Sequence, residues 1–274
     1  MSKYLLLVLF NTVLHCSTGF AQSEIQFMTF NIRYDNPNDP LTWEERKNEV
    51  AKAMMFQDVV GVQEALDHQV AYLDSQLRFH AHYGVGRDDG MKGGEFCPVF
   101  YNTQKFDFIH GETIWLSLSP NVPGSIGWDA DLPRIASIVL LQHKESGKTI
   151  RVVNTHFSHV GITARENAAQ LIRGYVSNHS QDHIVVMGDF NEESDDPAFK
   201  LLNKAPLNDS YEGNPNRCRD HFTTYSTFNP SGVYEKRIDH IFTDFQVEWI
   251  CIEEIIKYGY FISDHHPLFI VVNL

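Results

Sequence analysis

The stretch VVMGDFNEES, residues 185–194, carries an apolar run into a glycine and then presents Asp189 and Asn191 with Phe190 between them. Alternate residues of an extended chain share a face, so the carboxylate and the carboxamide point together while Phe190 turns back into packing. Other apolar segments begin or end in the same way. Asn31 ends a face made of Ile25, Phe27 and Thr29; Glu64 ends one made of Val60 and Val62; His156 ends one that runs Ile150, Val152, Asn154. Asp239 follows Arg237-Ile238, and Asp264-His265 precedes the last apolar run. Any one of these sites is explained by turn formation, which Asp and Asn favour. Together they are the inventory of a hydrolytic metal site: oxygen donors for a hard cation, a carboxylate able to take a proton from water, and imidazoles able to donate to a growing oxyanion.

Such residues need a frame. The alternation in Ile25 to Arg33 predicts a strand, and Thr42-Trp43-Glu44-Glu45 is a capping box opening a helix with Trp43, Val50, Ala53 and Met54 on its apolar face. A short strand follows at Asp58 to Gln63. Thr163 with Glu166 predicts a second capping box, starting a helix that buries Ala164, Ala168, Leu171, Ile172 and Tyr175. Strands are expected at Pro98 to Asn102, Phe106 to Trp115, Ile135 to His143 and Lys148 to Phe157, the last two joined by the turn Glu145-Ser146-Gly147. Further strands are expected at Ile184 to Met187, Phe222 to Ser226, Ile238 to Phe242, Val247 to Glu253 and Leu268 to Val272. Hairpins mixed with amphipathic helices imply an α/β fold of two mostly antiparallel sheets packed together with helices outside.

Lys3, the apolar run Tyr4 to Phe10 and Gly19-Phe20-Ala21 read as a cleavable export signal, residues 1–21, too short to span a bilayer. Residues 22–274 then form one domain with a periplasmic or extracellular location; lipidation at Cys16 is disfavoured by the bulky His15 before it. Loss of Lys3 takes the formal charge from −13 to −14. That balance disfavours sequence-independent gripping of nucleic acid. Cys97, Cys218 and Cys251 permit at most one internal bridge, with buried thiols as the alternative. The glycines at 84, 86, 90, 93 and 94 suggest a flexible loop and lack the Gly-Lys-Ser/Thr of a phosphate cradle.

The motifs TFNIR (29–33), VQE (62–64), NTHF (154–157), GDFN (188–191), RIDHIF (237–242) and SDHHP (263–267) resemble, in order and rough spacing, the endonuclease/exonuclease/phosphatase superfamily, whose members include deoxyribonuclease-like enzymes. GRDDGMKGGEFCPVFYN (86–102) and GSIGWDADLPRIAS (124–137) resemble its secreted bacterial branch. The resemblance covers nearly all of residues 22–274 and implies a four-layer sandwich with the site at one edge of both sheets. It implies a phosphate-ester hydrolase using Mg²⁺, with Mn²⁺ as an alternative, and in-line attack by water. Glu64 would be the principal metal ligand with Asn31 and Asp264 beside it. Asp189 would activate the water, and Asn191 would hold the phosphoryl group or the water. His265, oriented by Asp239, would donate to the phosphoryl oxygen, and His156, partnered by Glu95, would serve the leaving group.

Arg87 and Arg134 are candidate phosphate contacts, with a surface salt bridge as the alternative for each. Trp128 either walls the pocket or packs in the core. Zinc would draw on His156, His159, His265 and His266, but no H-E-x-x-H is present. A small phosphorylated substrate is favoured by the acidic balance; a nuclease and a non-catalytic binding module on the same fold are the competing functions. Oligomeric state is not legible in the sequence.

Overall fold

In the strands that carry the candidate residues, successive apolar side chains go to different layers. Ile25 and Phe27 pack with Ile150, Val152, Val185 and Met187 in a cluster between two sheets, whereas Met28 and Phe30 pack outward with Trp43, Val50 and Leu73. On the other sheet Val153, Ile184 and Val186 pack outward against Ala168, Ile172 and Phe199. Strands buried on both faces require helices over each sheet, and those helices are present. Each fully buried Val, Ile or Phe contributes about 1.5–3 kcal/mol by leaving water.

The computed structural model describes residues 23–219, 223–234 and 236–274. Its elements in chain order are β1 (Glu24–Asn31), α1 (Trp43–Met54), β2 (Val59–Gln63), α2 (Asp67–Gln76), β3 (His80–Tyr83), β4 (Val99–Asn102), β5 (Phe106–Trp115), β6 (Ile135–His143), β7 (Thr149–His156), α3 (Ile162–Ser177), β8 (His183–Asp189), α4 (Pro197–Leu202), β9 (Asn208–Asp209), β10 (Asp239–Thr243), β11 (Val247–Ile252), β12 (Ile256–Lys257), β13 (Tyr260–Phe261) and β14 (Leu268–Asn273). Among the described residues, two six-stranded sheets run β11-β14-β1-β2-β4-β3 and β5-β6-β7-β8-β10-β9. Both are mixed: β1 and β2 pair in parallel, as do β7 and β8, and the other neighbours are antiparallel. The parallel pairs matter for the site, because each puts two strand C-termini at the same edge. The four-layer sandwich is therefore the observed architecture. No described helix is long and apolar enough to cross a membrane.

Several local expectations change. The helix expected to start at Thr163 starts at Ile162 after Gly161, and the free N–H groups of Thr163 and Ala164 are taken by Asp129 from a distant loop at 3.2 and 2.7 Å. A carboxylate at a helix N-terminus serves the same need as a local capping box. The strand expected over Phe222 to Ser226 is absent: Thr223 to Ser226 make one isolated bridge, Tyr225 to His265, and Phe222 lies outside the described residues. The expected export signal, residues 1–21, also lies outside them. Cys218 and Cys251 are joined, and Cys97 is a buried free thiol. The glycine loop is tightly closed, with Gly86 N–H donating to Met91 and Asp88 N–H to Gly93; a Cβ on Gly86 would lie 2.3 Å from the Gly93 carbonyl oxygen. Close backbone approach, rather than looseness, accounts for a glycine there.

Candidate active site

Strand register assembles the centre. His156 lies beside Asp189 in the parallel β7–β8 ladder, and Asp239 faces Asp189 across the antiparallel β8–β10 ladder. Three residues 33 and 50 positions apart in the chain thus form one row at the sheet edge. The opposite sheet adds Asn31 from the end of β1 and Glu64 just past the end of β2, and the turn before β14 adds Asp264 and His265.

Positive backbone angles aim several of these side chains. Val60 and Val62 face α1 and α2, so the shared face expected from sequence would have sent Glu64 outward as well. At Glu64 φ is +61°, and the carboxylate instead accepts the Asn31 amide at 3.0 Å and the Tyr34 N–H at 3.2 Å. Asn191 has φ +50°; its N–H donates to Asp189 Oδ1 at 2.9 Å and its amide to the Phe157 carbonyl at 3.2 Å. Phe190 is buried edge-on to Phe157 and Phe242, so it anchors the turn. Left-handed backbone at non-glycine residues is uncommon, and its concentration here marks a site held by its surroundings.

Asp189 is the hub. Its Oδ2 accepts the Asn31 amide at 2.9 Å and lies 3.5 Å from His156 Nε2 and 3.6 Å from His265 Nε2. His265 donates from Nδ1 to Asp239 Oδ2 at 2.7 Å. Burial, reinforced by Asp239, lifts the Asp189 carboxyl to about 7, although His265 and the Asn31 bond oppose the rise. Burial works against charge on His265, but Asp239 and Asp189 together carry it well above its ordinary value. His156 goes the other way: burial first, then Arg134 and Arg87, keep it neutral. One carboxylate is thus flanked by a cationic and a neutral imidazole, an arrangement suited to moving protons.

A cavity of about 710 Å³ opens onto this row, lined among others by Glu64, Glu95, Arg134, His156, Asp189, Asn191, Asp264 and His265. Asn31 and Asp239 stand behind it, acting through Asp189, Glu64 and His265. Arg134 is buried, and its Nε and Nη1 have no partner while Nη2 donates to His159 Nδ1 at 3.0 Å. Arg87, paired with Arg134 as a phosphate contact in the sequence, is placed differently. Its guanidinium grips Glu95 at 2.7 and 3.1 Å, and it is not part of the cavity lining. Glu95 lies 4.0 Å from His156 Nδ1, so Arg87 reaches the site through Glu95. Trp128 is half-buried and lies outside the lining, and His266 packs edge-on against Phe261.

The carboxylates fit a divalent cation. Burial and the neighbouring Glu64 raise both Asp264 and Glu95, so negative charge is in excess here. Ligating atoms of Glu64, His156 and Asp189 lie within 4.8 Å of one another. Oxygen donors dominate, which suits a hard ion better than zinc.

Sequence reading missed Arg33, Tyr225 and Lys236, which also line the cavity. Arg33 lies inside the TFNIR motif and was available as a signal; Tyr225 sits where a strand was expected, its ring 5.2 Å from that of His265.

The Endonuclease/Exonuclease/phosphatase family profile matches residues 28–265. A protein of that family from Bacteroides thetaiotaomicron is 31% identical and superposes with a TM-score of 0.87, covering 93% of this chain and 99% of that one. A mannosyl-6-phosphatase of Bacteroides thetaiotaomicron is also 31% identical, with a TM-score of 0.84 over 90% of this chain and 99% of that one. The 3'-5'-exoribonuclease subunit Ccr4 of the Candida albicans CCR4-Not complex is 30% identical over 128 residues, which are 39% of this chain and 16% of that protein's length. The chain belongs to the Endonuclease/Exonuclease/phosphatase family.

Proposed function

We propose that the chain is a Mg²⁺- or Mn²⁺-dependent phosphatase of small phosphorylated molecules, sugar phosphates foremost. The observation that carries the reading is Arg134: a buried guanidinium at the cavity wall with two nitrogens unpartnered and the third bonded to the ring of His159 rather than to a carboxylate. A buried guanidinium that keeps unused donors beside its one hydrogen bond suits one phosphate group. The rim adds Glu193 and Asp196, with Asp131 3.7 Å from His159, which repel a continuing polyanion but leave room for a neutral polyol. Likeness to a mannosyl-6-phosphatase supports the same substrate class.

In this reading Glu64, with Asn31 and Asp264 beside it, would hold the metal, which supplies positive charge to the phosphoryl oxygens. Asp189 takes the proton of the attacking water, and Asn191 braces the water or phosphoryl group. His265 donates a hydrogen bond to a phosphoryl oxygen as negative charge grows there, kept protonated and aligned by Asp239. Neutral His156 faces the leaving oxygen, with Glu95 and Arg87 behind it.

The Cys218–Cys251 bond supports export through residues 1–21, since such bonds persist in oxidising compartments.

Phosphate release from mannose 6-phosphate, glucose 6-phosphate and other monoesters, beside cleavage of DNA and RNA oligonucleotides, tests the proposal with and without EDTA. Metal-dependent turnover of monoesters is expected. Preferential cleavage of oligonucleotides overturns the substrate class, and failure on every substrate with metal present overturns the enzymatic reading in favour of a binding module.

A further inference from the structure

Arg33 lies among the very carboxylates proposed to hold the metal. Its Nη1 stands 3.8 Å from Glu64 Oε2 and 3.7 Å from Asp264 Oδ2, close enough for strong attraction yet beyond hydrogen-bond length to either. The opposite edge of the guanidinium is committed: Nε and Nη2 donate to Asp39 at 3.0 and 3.2 Å. The planar group also lies over the Tyr34 ring at 4.6 Å.

Its backbone is fixed as firmly. Arg33 has φ +60°, its N–H donates to Asn31 Oδ1 at 3.0 Å, and its carbonyl accepts from Arg46 at 2.7 Å and Gln69 at 3.1 Å. Asn31 is the residue whose amide binds both Glu64 and Asp189. A strained, anchored arginine therefore presents a permanent positive charge to a cluster that otherwise gathers negative charge. Arginine stays charged even when half-buried, so the effect is independent of pH across the working range.

We infer that Arg33 is a resident counter-cation of the Glu64–Asp264 carboxylate pair that weakens the site's hold on its divalent ion. This rests on the proposal that Glu64 and Asp264 hold the metal. Electrostatics gives the sign: a unit positive charge a few ångströms from a bound divalent ion opposes binding, and its removal tightens the site. Asp39 sets the strength, because its bidentate grip keeps Arg33 from collapsing onto Glu64 and Asp264. Arg33 acts here through the ligands, as a positioning residue.

The test is the Mn²⁺ affinity of the metal-free protein, measured by calorimetry without substrate. Arg33→Met should bind Mn²⁺ about tenfold or more tightly than the parent, Arg33→Lys should bind within about threefold of it, and Asp39→Asn should bind more weakly. Structural damage would weaken Arg33→Met and Asp39→Asn alike, so the opposite signs are the diagnostic. Unchanged or weaker binding in Arg33→Met, with the parent binding normally, overturns the inference alone. A parent protein that binds no Mn²⁺ overturns this inference and the metal assignment together.

Discussion

Asp239 and Asp189 face each other across the β8–β10 ladder, and His265 joins them, donating to Asp239 at 2.7 Å and pointing Nε2 at Asp189 from 3.6 Å. The imidazole is suspended between two buried carboxylates, which explains both its charge and its orientation. Asp239→Asn and His265→Ala should each lower kcat by about 100- to 10,000-fold. The double variant should be scarcely worse than His265→Ala, because the two act as one unit. Additive losses in steady-state kinetics would show that Asp239 has a separate role.

The pH dependence follows from the same row. Asp189 accepts a proton only when ionised, and its carboxyl stands at about 7 in the metal-free protein because of burial and Asp239. A bound cation lowers that value, so kcat/KM should rise with pH along a limb at or below about 7. His265 must keep its proton; Asp239 and Asp189 hold its value well up against the effect of burial, so the falling limb should lie well above the ordinary imidazole value of about 6.5. A pH–rate profile whose falling limb sits at or below about 6.5 would contradict the role given to His265.

Arg134 is tested by size and charge. Arg134→Met removes the guanidinium with its two unpartnered nitrogens and should raise KM for a phosphomonoester by about 10- to 100-fold, consistent with loss of a charge-assisted contact. Arg134→Lys should recover only part of this, because a point charge replaces a planar fork. Arg87→Met should act chiefly on kcat, since Arg87 reaches the site through Glu95. Equal KM effects from both arginines would place Arg87 at the substrate after all.

Stability at low pH should depend on Asp209. It accepts from buried Arg237 at 3.0 Å and lies 3.5 Å from His240, which in turn donates to the Glu192 carbonyl at 2.8 Å. Burial opposes its ionisation, but the His240 and Arg237 interactions depress the carboxyl to about 2. A carboxyl depressed on folding stabilises the protein above its unfolded value and loses that contribution as pH falls, here between about pH 4 and 2. Asp209→Asn should cost about 3–5 kcal/mol by leaving Arg237 buried without its partner. Its acid-unfolding curve, followed by circular dichroism, should be flatter over that window than the parent's.

The residue types of the site were legible in the chain. Polar tips on apolar strands marked Asn31, His156, Asp189, Asp239 and His265, because strand alternation is a local property and the six motifs keep their order. The layering was legible for the same reason: strands apolar on both faces demand cover on both. The direction of Glu64 was not, since a single left-handed residue past β2 reverses the face that alternation assigns it. Nor was the division between Arg134 and Arg87, two arginines alike in sequence. One lines the cavity with two nitrogens unpartnered and the other is spent on Glu95, a difference made by loops 47 residues apart. Local periodicity determines which side chains reach a strand's end; which charges then meet, and which stay free for a substrate, is decided only when two sheets and their loops close over the same edge.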